Sequence, residues 1–298
     1  MTKKQKIKKL MNPANNERFL ITGLNGLIGW NLFRRIAENR ISFGTYRQPH
    51  AAFAGPGFYR LDPEDGPALE KLFSETRPDY LIHSWAMCDL DLCEQMPEMA
   101  EKVNVAGTVK LLQAASNYGG LKKLVYISTD HVFDGEKGSY LETDLPSPKH
   151  VYGRTKHEAE KLVEKCGLPY LIIRPGLAIG ESLQGNKGPR DFLFTRIRAG
   201  KPTHYFTDEW RSPIPALELA EKVLRLSLSE AEGIYHVAGG RTFSRFELAN
   251  RLADEHGLPS HQIFPRLRAE DRWAAIRPKD ISLNAAKYQI WENSRSGE

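Results

Sequence analysis

The stretch RFLITGLNGLIG, residues 18–29, sets the expectation for the fold. It begins as an apolar run typical of a buried strand and continues, to residue 40, with the periodicity of an amphipathic helix. Gly23, Gly26 and Gly29 lie at the turn between the two. Glycines at such a turn let the backbone approach a pyrophosphate, and the helix N-terminus offers free N–H groups. The Gly-x-x-Gly-x-x-Gly spacing differs from the Gly-x-Gly-x-x-Gly fingerprint, so a purely structural turn is the alternative to cofactor binding.

The alternation of strand and helix patterns continues along the chain. Further strands are predicted at 41–47, 57–62, 79–86, 123–129, 169–175 and 233–239, and helices at 67–77, 97–118, 150–167, 216–228 and 244–256. This order predicts an α/β fold: a Rossmann doubly wound parallel sheet with helices on both faces and a smaller C-terminal substrate-binding region.

Three parts of the chain are predicted. Residues 1–17 form a basic disordered tail, residues 18–175 a dinucleotide-binding Rossmann domain, and residues 176–298 mainly a substrate-binding region. The strand and helix patterns around 205–240 are expected to return to the Rossmann domain, because an additional parallel strand needs a helical crossover.

The composition narrows the class of protein. Of 298 residues, 41% are hydrophobic and 27% are charged, as in ordinary globular proteins. The net charge of +5 is matched by five lysines among the first nine residues, without the interleaved aromatic residues of a nucleic-acid or membrane arm. No apolar run approaches the ~20 residues that cross a bilayer, and the three cysteines lack metal-ligand spacing. We therefore expect a cytoplasmic protein with no nucleic-acid partner, no membrane partner and no metal.

The end of the second predicted strand indicates which dinucleotide binds. An Asp or Glu there would hydrogen-bond the ribose 2′-hydroxyl of NAD(H) and repel a phosphate. This chain has Thr45, Tyr46 and Arg47 instead, and a guanidinium can pair with a 2′-phosphate and stack on adenine. We predict NADP(H), with NAD(H) as the alternative cofactor and an ordinary surface arginine as the alternative role of Arg47.

Two tyrosines are followed four residues later by a lysine: Tyr118 by Lys122, and Tyr152 by Lys156. A glycine pair at 119–120 ends the helix after Tyr118, so Lys122 belongs to the next segment. Tyr152 and Lys156 lie within one helical pattern, where residues four apart are neighbours. A lysine ammonium beside a phenol lowers its pKa from the free value of ~10 and makes it a better proton donor. We predict that the second pair serves carbonyl reduction by a nicotinamide.

A hydroxyl that holds the substrate oxygen is also expected. The stretch YISTDHVFDG, residues 126–135, has Ser128 and Thr129 at the C-terminal end of a predicted strand. Ligands of open α/β sheets bind at this end of the strands. Turn or capping duty is the alternative role of these two hydroxyl groups.

Together these motifs resemble the extended short-chain dehydrogenase/reductases, and within them the dTDP-4-dehydrorhamnose reductase group. The resemblance covers nearly everything after the tail. The residues that carry it are TGLNGLIG, RLD at 60–62, RPDYLIH at 77–83, Asn104, ISTDHVFDG, ETD at 142–144, VYGRTK, IIRP at 172–175 and RPKDISLN at 277–284. The regulatory subunit of methionine adenosyltransferase is similar as well and includes a Tyr–Lys pair.

The resemblance implies NADPH-dependent reduction of the 4-keto group of a nucleotide-linked 4-keto-6-deoxyhexose. Catalysis would rest on Thr129, with Tyr152 as the acid and Lys156 as its partner. Besides Tyr152 and Lys156, the implied cofactor contacts are Gly23, Asn25, Gly26, Leu27, Ile28, Gly29, Arg47, Leu61, Asp62, His83, Ser84, Trp85, Ala86, Asn104 and Arg174. The implied contacts to the nucleotide-diphosphate sugar are Asp130, His131, Val132, Phe133, Leu177, Trp210, Arg211 and Arg277.

Departures from the family pattern leave the sugar open. His131 stands where the family usually has Tyr, HSWAMCDLD replaces a small-residue segment, and Leu177 replaces an aromatic residue. A loop with Trp210 and Arg211 is expected to close over the substrate, with plain packing as the alternative. Arg277 is expected near the diphosphate, with a surface ion pair as the alternative. Two other functions stay open, a non-catalytic binding subunit and a related epimerase, and a homodimer is compatible with each.

Overall fold

A seven-stranded sheet forms the centre of the molecule in the computed structural model, which describes residues 16–295. Its strands are β1 (Arg18–Ile21), β2 (Ile41–Tyr46), β3 (Phe58–Arg60), β4 (Tyr80–His83), β5 (Lys123–Ile127), β6 (Tyr170–Pro175) and β11 (Gly233–Val237). They lie in the order β11-β6-β5-β4-β1-β2-β3, and all neighbours pair in parallel. The predicted Rossmann doubly wound parallel sheet is confirmed.

Helices pack on both faces of this sheet, and two further helices, at 189–198 and 245–255, pack in the C-terminal region. They are α1 (Leu27–Ile36), α2 (Gly66–Thr76), α3 (Leu90–Gln95), α4 (Pro97–Glu101), α5 (Gly107–Tyr118), α6 (Val151–Glu164), α7 (Pro189–Arg198), α8 (Ala216–Ser227), α9 (Arg245–Glu255) and α10 (Ala286–Asn293). Because side chains alternate along a strand, Phe19 and Ile21 pack toward α1 and α8, whereas Leu20 packs toward α2 and α5. A central strand that is apolar on both faces is what a sheet buried between two helical layers requires.

Short strand pairs build the C-terminal region. They are formed from β7 (Ala178–Ile179), β8 (Thr203–Phe206), β9 (Trp210–Arg211), β10 (Ile214–Pro215), β12 (Phe243–Ser244) and β13 (Ile263–Arg266). β7 pairs with β10, β8 with β13, and β9 with β12. Between these pairs the chain returns to the large sheet, where α8 packs on α1 and β11 pairs with β6. The region begins directly after β6 and therefore lies beside the carboxyl ends of the central strands.

The helix predicted at 97–118 is interrupted. It consists of α4, a π-helical turn over Lys102–Ala106, and α5. The buried Asn104 lies within this turn, where its Oδ1 accepts a hydrogen bond from the Met87 N–H at 2.8 Å and its Nδ2 donates to Thr155 Oγ1 at 2.9 Å. Such turns are frequent at functional sites. Apolar periodicity alone does not reveal one, because the inserted residue shifts the pattern by less than a helical turn.

The remaining boundaries differ little from the predicted ones. The strands predicted at 57–62 and 79–86 are shorter, because the chain leaves the sheet after Arg60 and after His83. Of the predicted tail, residues 1–15 lie outside the described residues. None of the described helices combines the length and apolar character needed to cross a membrane.

Candidate active site

The glycine turn lies at the point where the strand order reverses, between β1 and β4. Ligands of open α/β sheets bind in the crevice that such a reversal leaves. Gly23 has φ +80°, and a Cβ at this residue would lie 2.8 Å from Trp85 Cα. A Cβ on Gly29 would collide with the Gly23 carbonyl group. The turn therefore needs both glycines to pass the loop after β4 and to start α1.

The N-terminus of α1 opens onto this crevice. Gly26 caps the helix in an extended conformation, and it has no side chain that could accept hydrogen bonds from the first N–H groups. Such N–H groups suit an anionic ligand. Leu27 is buried and Ile28 is packed against the core, so these two residues can offer a ligand backbone groups rather than side chains.

The ends of β2 and β3 form the outer side of the crevice. Arg47 is exposed there, and its backbone N–H donates to Asn25 Oδ1 at 2.9 Å. The Asn25 side chain thus positions the loop that carries Arg47. At the end of β3, Leu61 is buried, and Asp62 Oδ1 accepts a backbone hydrogen bond from its own turn at 3.1 Å.

His83 does not face the crevice. It is fully buried, and its ring nitrogens lie 3.1 Å from Thr22 Oγ1 and 2.9 Å from Thr108 Oγ1. Both ring nitrogens are therefore engaged inside the protein, so His83 would contact a cofactor at the end of β4 through its backbone. The reason is strand alternation, which directs the side chain at the end of β4 toward α5.

The three residues after His83 are closer to the glycine turn. Ser84 Oγ donates to the Thr22 carbonyl at 2.5 Å, and Ala86 packs in a small apolar cluster with Tyr152. Trp85 is nine-tenths buried, and its indole N–H has no hydrogen-bond partner within residues 16–295. A buried donor without an acceptor costs about 1–3 kcal/mol. The residue that passes the glycine turn therefore has an unsatisfied buried donor, on a side chain that packs in the core cluster with residues of α2 and α5.

Thr129 and Tyr152 meet at the carboxyl end of β5. Thr129 lies close enough to Tyr152 to lower the pKa of the phenol, and both residues are less than one-tenth exposed. Thr129 Oγ1 itself donates to Asp130 Oδ1 at 3.3 Å and accepts from the His131 N–H at 3.2 Å. Ser128, the neighbouring hydroxyl, donates instead to Glu160 Oε1 at 2.5 Å. The tertiary structure thus brings Thr129, rather than Ser128, to the phenol.

Lys156 lies one helical turn after Tyr152 and is almost fully buried. Its Nζ donates to the Ile127 carbonyl at 2.8 Å and lies 4.0 Å from the centre of the Tyr126 ring. Burial lowers the pKa of Lys156 to about 7, although Glu160 opposes this effect. Burial also raises the pKa of the Tyr152 phenol. The lowering of this pKa that was expected from Lys156 is therefore not seen in the protein alone, where burial of the phenol has the largest effect.

The other Tyr–Lys pair is separated. α5 ends after Tyr118 at Gly119, which has φ +66°. The Tyr118 ring packs on Phe73 with ring centroids 5.6 Å apart, and Lys122 Nζ pairs with Asp79 at 3.0 Å. The prediction that the glycines split this pair is confirmed.

Comparison with known proteins agrees with this arrangement. A family model described as the RmlD substrate binding domain matches residues 17–294. The chain belongs to this family. A structure described as a hypothetical dTDP-4-dehydrorhamnose reductase from Sulfolobus tokodaii is 35% identical, covers 92% of this chain and 94% of that chain, and has a TM-score of 0.78. The dTDP-4-dehydrorhamnose reductase of Bacillus anthracis, solved with NADP, has the same fold at 24% identity, with 93% of each chain covered and a TM-score of 0.79. Methionine adenosyltransferase 2 subunit beta of Rattus norvegicus is 28% identical over 286 residues, which are 92% of this chain and 82% of that subunit.

In this member of the RmlD substrate-binding family, Arg174 lies in the interior. Its Nε and Nη2 donate to the two carboxylate oxygens of Glu160 at 2.9 and 2.8 Å, and both residues are almost fully buried. Arg174 also lies 5.2 Å from the centre of the Phe133 ring. Arg174 therefore neutralises a buried carboxylate, and its Nη1 has no hydrogen-bond partner within residues 16–295. The predicted cofactor contact of Arg174 stays a prediction.

Two of the implied substrate contacts are core residues in this family member. Val132 and Phe133 are at most 1% exposed, and the Phe133 ring stacks on Tyr140 with centroids 4.2 Å apart. Their side chains support the loop after β5, so the predicted substrate contacts of these two residues would have to be made by their backbone groups.

Arg211 lies in β9, where it makes a buried ion pair. Its Nε and Nη2 donate to the two oxygens of Asp130 at 2.8 and 2.7 Å, and its Nη1 lies 3.0 Å from His131 Nε2. Arg211 therefore matches the packing alternative, because the pair holds β9 against the segment after Thr129. Asp130, His131 and Arg211 form one cluster next to Thr129.

The other implied substrate residues lie further out. Arg277 donates to Asp91 at 2.9 Å and to Asp271 at 3.1 Å, which is the ion-pair alternative. Trp210 is half-buried in β9, and its backbone N–H donates to the Lys279 carbonyl. Leu177 packs in the apolar cluster of the C-terminal region.

Three site residues were not found from the sequence. His150 caps α6, accepting the Gly153 N–H on Nδ1 at 3.0 Å, and lies beside His131. The Glu160 carboxylate accepts hydrogen bonds from both Ser128 and Arg174. Arg245 is the first residue of α9, and the charges of Glu209, Arg211 and Arg277 lie close enough to affect its pKa. The available signal was the position of His150 directly before the helix with the Tyr–Lys pair; the contacts of the other two are long-range.

Proposed function

We propose that this protein is an NADPH-dependent reductase of the 4-keto group of a nucleotide-linked 4-keto-6-deoxyhexose. The observation that carries the proposal is the position of Tyr152 beside Thr129, with Lys156 one turn further along the same helix and hydrogen-bonded to the Ile127 carbonyl at the end of β5. A phenol, a second hydroxyl group and a lysine at the carboxyl edge of a parallel sheet suit proton transfer to a carbonyl oxygen.

The residues would divide the chemistry between them. Thr129 would hold the carbonyl oxygen by a hydrogen bond, and Tyr152 would donate its phenolic proton to that oxygen. The nicotinamide, when bound, supplies the hydride that the carbonyl carbon receives. Lys156 would bind the nicotinamide ribose and favour the phenolate that remains on Tyr152. The raised pKa of Tyr152 suits an acid that keeps its proton until the substrate arrives.

The crevice fits a phosphorylated dinucleotide. The glycine turn and the uncapped N–H groups of α1 suit a pyrophosphate, and the backbone of Trp85 passes within 2.8 Å of where a Cβ on Gly23 would lie. Arg47 is exposed at the end of β2, where a 2′-phosphate would need a cation and where a carboxylate would have favoured NAD(H). These features support NADP(H), with NAD(H) as the weaker cofactor.

The opposite wall would take the nucleotide-diphosphate sugar. Arg245 and Arg277 stand near Arg211, and burial lowers the pKa of Arg245, so an anion in this region would relieve an electrostatic cost. The relatives described as dTDP-4-dehydrorhamnose reductases support this class of substrate.

A non-catalytic regulatory subunit is the second candidate, and a specific observation favours it. The chain is 28% identical to methionine adenosyltransferase 2 subunit beta over almost its whole length. A subunit of this kind would bind the dinucleotide and a synthetase without turning over a keto sugar.

The deciding experiment is a substrate panel. Purified protein is mixed with NADPH and with dTDP-, GDP- and CDP-linked 4-keto-6-deoxyhexoses, and absorbance of NADPH is followed. Loss of absorbance that depends on the keto sugar supports the reductase. NADPH binding without turnover on any sugar, together with co-purification of a methionine adenosyltransferase, would replace it by the regulatory subunit.

A further inference from the structure

An ion pair joins the two walls of the crevice. Asp91 lies in the first turn of α3, whose residues Leu90 and Cys93 pack in one apolar cluster with Tyr152. Arg277 belongs to the C-terminal region, and its Nη2 donates to Asp91 Oδ1 at 2.9 Å across 186 positions of the chain. The contact therefore connects the wall that carries Tyr152 to the opposite wall.

Arg277 has other contacts that hold it in place without Asp91. Its Nε donates to Asp271 Oδ1 at 3.1 Å, and its guanidinium lies 5.3 Å from the centre of the Phe206 ring. Both partners belong to the C-terminal region, and the Asp271 side chain is only 12% exposed. Separating Asp91 from Arg277 would thus free one edge of the guanidinium without releasing Arg277 from its own wall.

The contact with Asp91 is the one that can be exchanged. The Asp91 side chain is 39% exposed, and its second oxygen lies 3.6 Å from Arg272, whose side chain is 65% exposed. Ion pairs as exposed as these contribute little, because water solvates both groups when they separate. Another anion can therefore replace Asp91 on Arg277 if it binds a guanidinium more strongly than a single exposed carboxylate does.

The other arginines of this wall favour such an anion. The charges of Arg211 and Arg277 lie close enough to Arg245 to lower its pKa. Asp130 already accepts two hydrogen bonds from Arg211, so the remaining positive charge lies on the side of Arg245 and Arg277. A diphosphate carries more charge than a carboxylate, and its oxygens can accept two parallel hydrogen bonds from one guanidinium.

We propose that Asp91 competes with the diphosphate of the nucleotide sugar for Arg277. In the free protein Asp91 holds the guanidinium across the crevice, and the diphosphate displaces it on binding. Asp91 is therefore an affinity-determining residue that does not itself contact the bound substrate. It is the last residue of HSWAMCDLD, the stretch that departs from the small-residue segment of the family pattern. The inference rests on the proposal that a nucleotide-diphosphate sugar binds at this wall.

The contact across the crevice can be tested without a nucleotide. Asp91→Asn keeps the shape of the side chain but removes its charge, so amide hydrogen exchange over residues 271–277 should become about twofold to fivefold faster. Glu98→Gln is the matched control, because Glu98 is an exposed carboxylate in the first turn of α4. It should leave the exchange of this segment unchanged. Equal exchange in the wild type and Asp91→Asn overturns the inference.

The competition is tested by calorimetry with dTDP, GDP and CDP in the presence of NADP⁺. Asp91→Asn should bind the preferred nucleotide about twofold to fivefold more tightly than the wild type, whereas Glu98→Gln should bind it as the wild type does. Combined with Arg277→Gln, Asp91→Asn should have no effect on affinity, because the competition acts through Arg277. A gain that persists in the Arg277→Gln background would be a long-range effect of charge and overturns the inference.

The outcomes separate this inference from the reductase proposal. An unchanged affinity in Asp91→Asn removes the inference even when keto sugars are reduced. A gain that depends on Arg277, without reduction of any keto sugar, supports the inference and removes the reductase. If none of the three nucleotides binds the wild type or Asp91→Asn, the nucleotide-sugar substrate and the inference are both wrong.

Discussion

Tyr152 lies beside Thr129, which lowers the pKa of its phenol, although the two residues come from a helix and from the loop after a strand. This contact selects one of two tyrosines and one of two neighbouring hydroxyl residues as candidates for catalysis. It also decides which substitutions should affect turnover and which should affect only stability.

Tyr152→Phe should abolish most of the reduction. The change removes one hydroxyl group and keeps the ring, so fold and NADPH affinity should persist, whereas loss of a general acid lowers turnover about 10²–10⁴-fold. Steady-state rates at saturating NADPH measure this. Tyr118→Phe is the matched control and should stay within about twofold, because Tyr118 only packs on Phe73. Near-normal turnover in Tyr152→Phe would favour the regulatory-subunit function.

Thr129→Val and Ser128→Ala should have different effects. Thr129→Val keeps the shape of the side chain but removes the hydroxyl group that would hold the substrate carbonyl oxygen, so kcat should fall while NADPH affinity is retained. Ser128→Ala removes a partner of the buried Glu160, and the free energy of unfolding should fall by about 1–2 kcal/mol. Kinetics and urea unfolding of both variants separate the two roles. A larger loss of kcat in Ser128→Ala than in Thr129→Val would reverse the assignment.

Arg47→Asp should change the choice of cofactor. A charge-assisted contact to phosphate is worth about 1.5–3 kcal/mol, so NADPH affinity should fall roughly 10- to 100-fold while NADH affinity changes little. Calorimetric titration with both cofactors measures this. Arg34→Asp, an exposed arginine on α1, serves as the charge-matched control. An unchanged NADPH to NADH ratio in Arg47→Asp would place recognition of the 2′-phosphate elsewhere.

Trp85 should report on cofactor binding. Its buried indole N–H lacks a partner in the described chain, and an acceptor from the cofactor would remove that cost. NADP⁺ should therefore quench tryptophan fluorescence, and Trp85→Phe should remove most of the quenching and weaken NADP⁺ about threefold to tenfold. Trp291→Phe on α10 is the control. Quenching that survives in Trp85→Phe but disappears in Trp291→Phe would contradict the proposed contact.

Lys156→Met should stabilise the protein more at pH 6 than at pH 9. The pKa of Lys156 is lowered to about 7 in the folded chain, whereas an unfolded lysine has a pKa near ~10.4. Between these values the unfolded chain binds more protons, so stability rises with pH, and below pH 7 the full cost of burying the ammonium is present. Urea unfolding of the wild type and Lys156→Met at both pH values, without cofactor, measures the difference. An equal difference at pH 6 and pH 9 would show that Lys156 does not titrate in this window.

The alternation of strands and helices along the chain could be predicted because each of these elements has a local pattern of its own. Residues 18–29 combine an apolar run, a glycine turn and a helical period, and these together are typical of a first Rossmann unit. Gly119 likewise marks the end of α5 by its left-handed conformation. The boundaries after β3 and β4 were less accurate, because leaving a sheet is decided by the neighbouring strands.

The sequence by itself determined the α/β fold, the glycine turn and the helix that carries Tyr152 and Lys156, since these depend on residues close together in the chain. Only the tertiary structure decided that His83, Phe133 and Arg174 belong to the interior and that Arg211 pairs with Asp130 instead of lying in a loop. The physical reason is that a charged or polar side chain finds its partner across the fold. Arg174 and Glu160 are 14 residues apart, and Arg211 and Asp130 are 81 apart. No local pattern predicts which carboxylate a buried guanidinium will meet, because burial requires a partner but does not say where along the chain it lies.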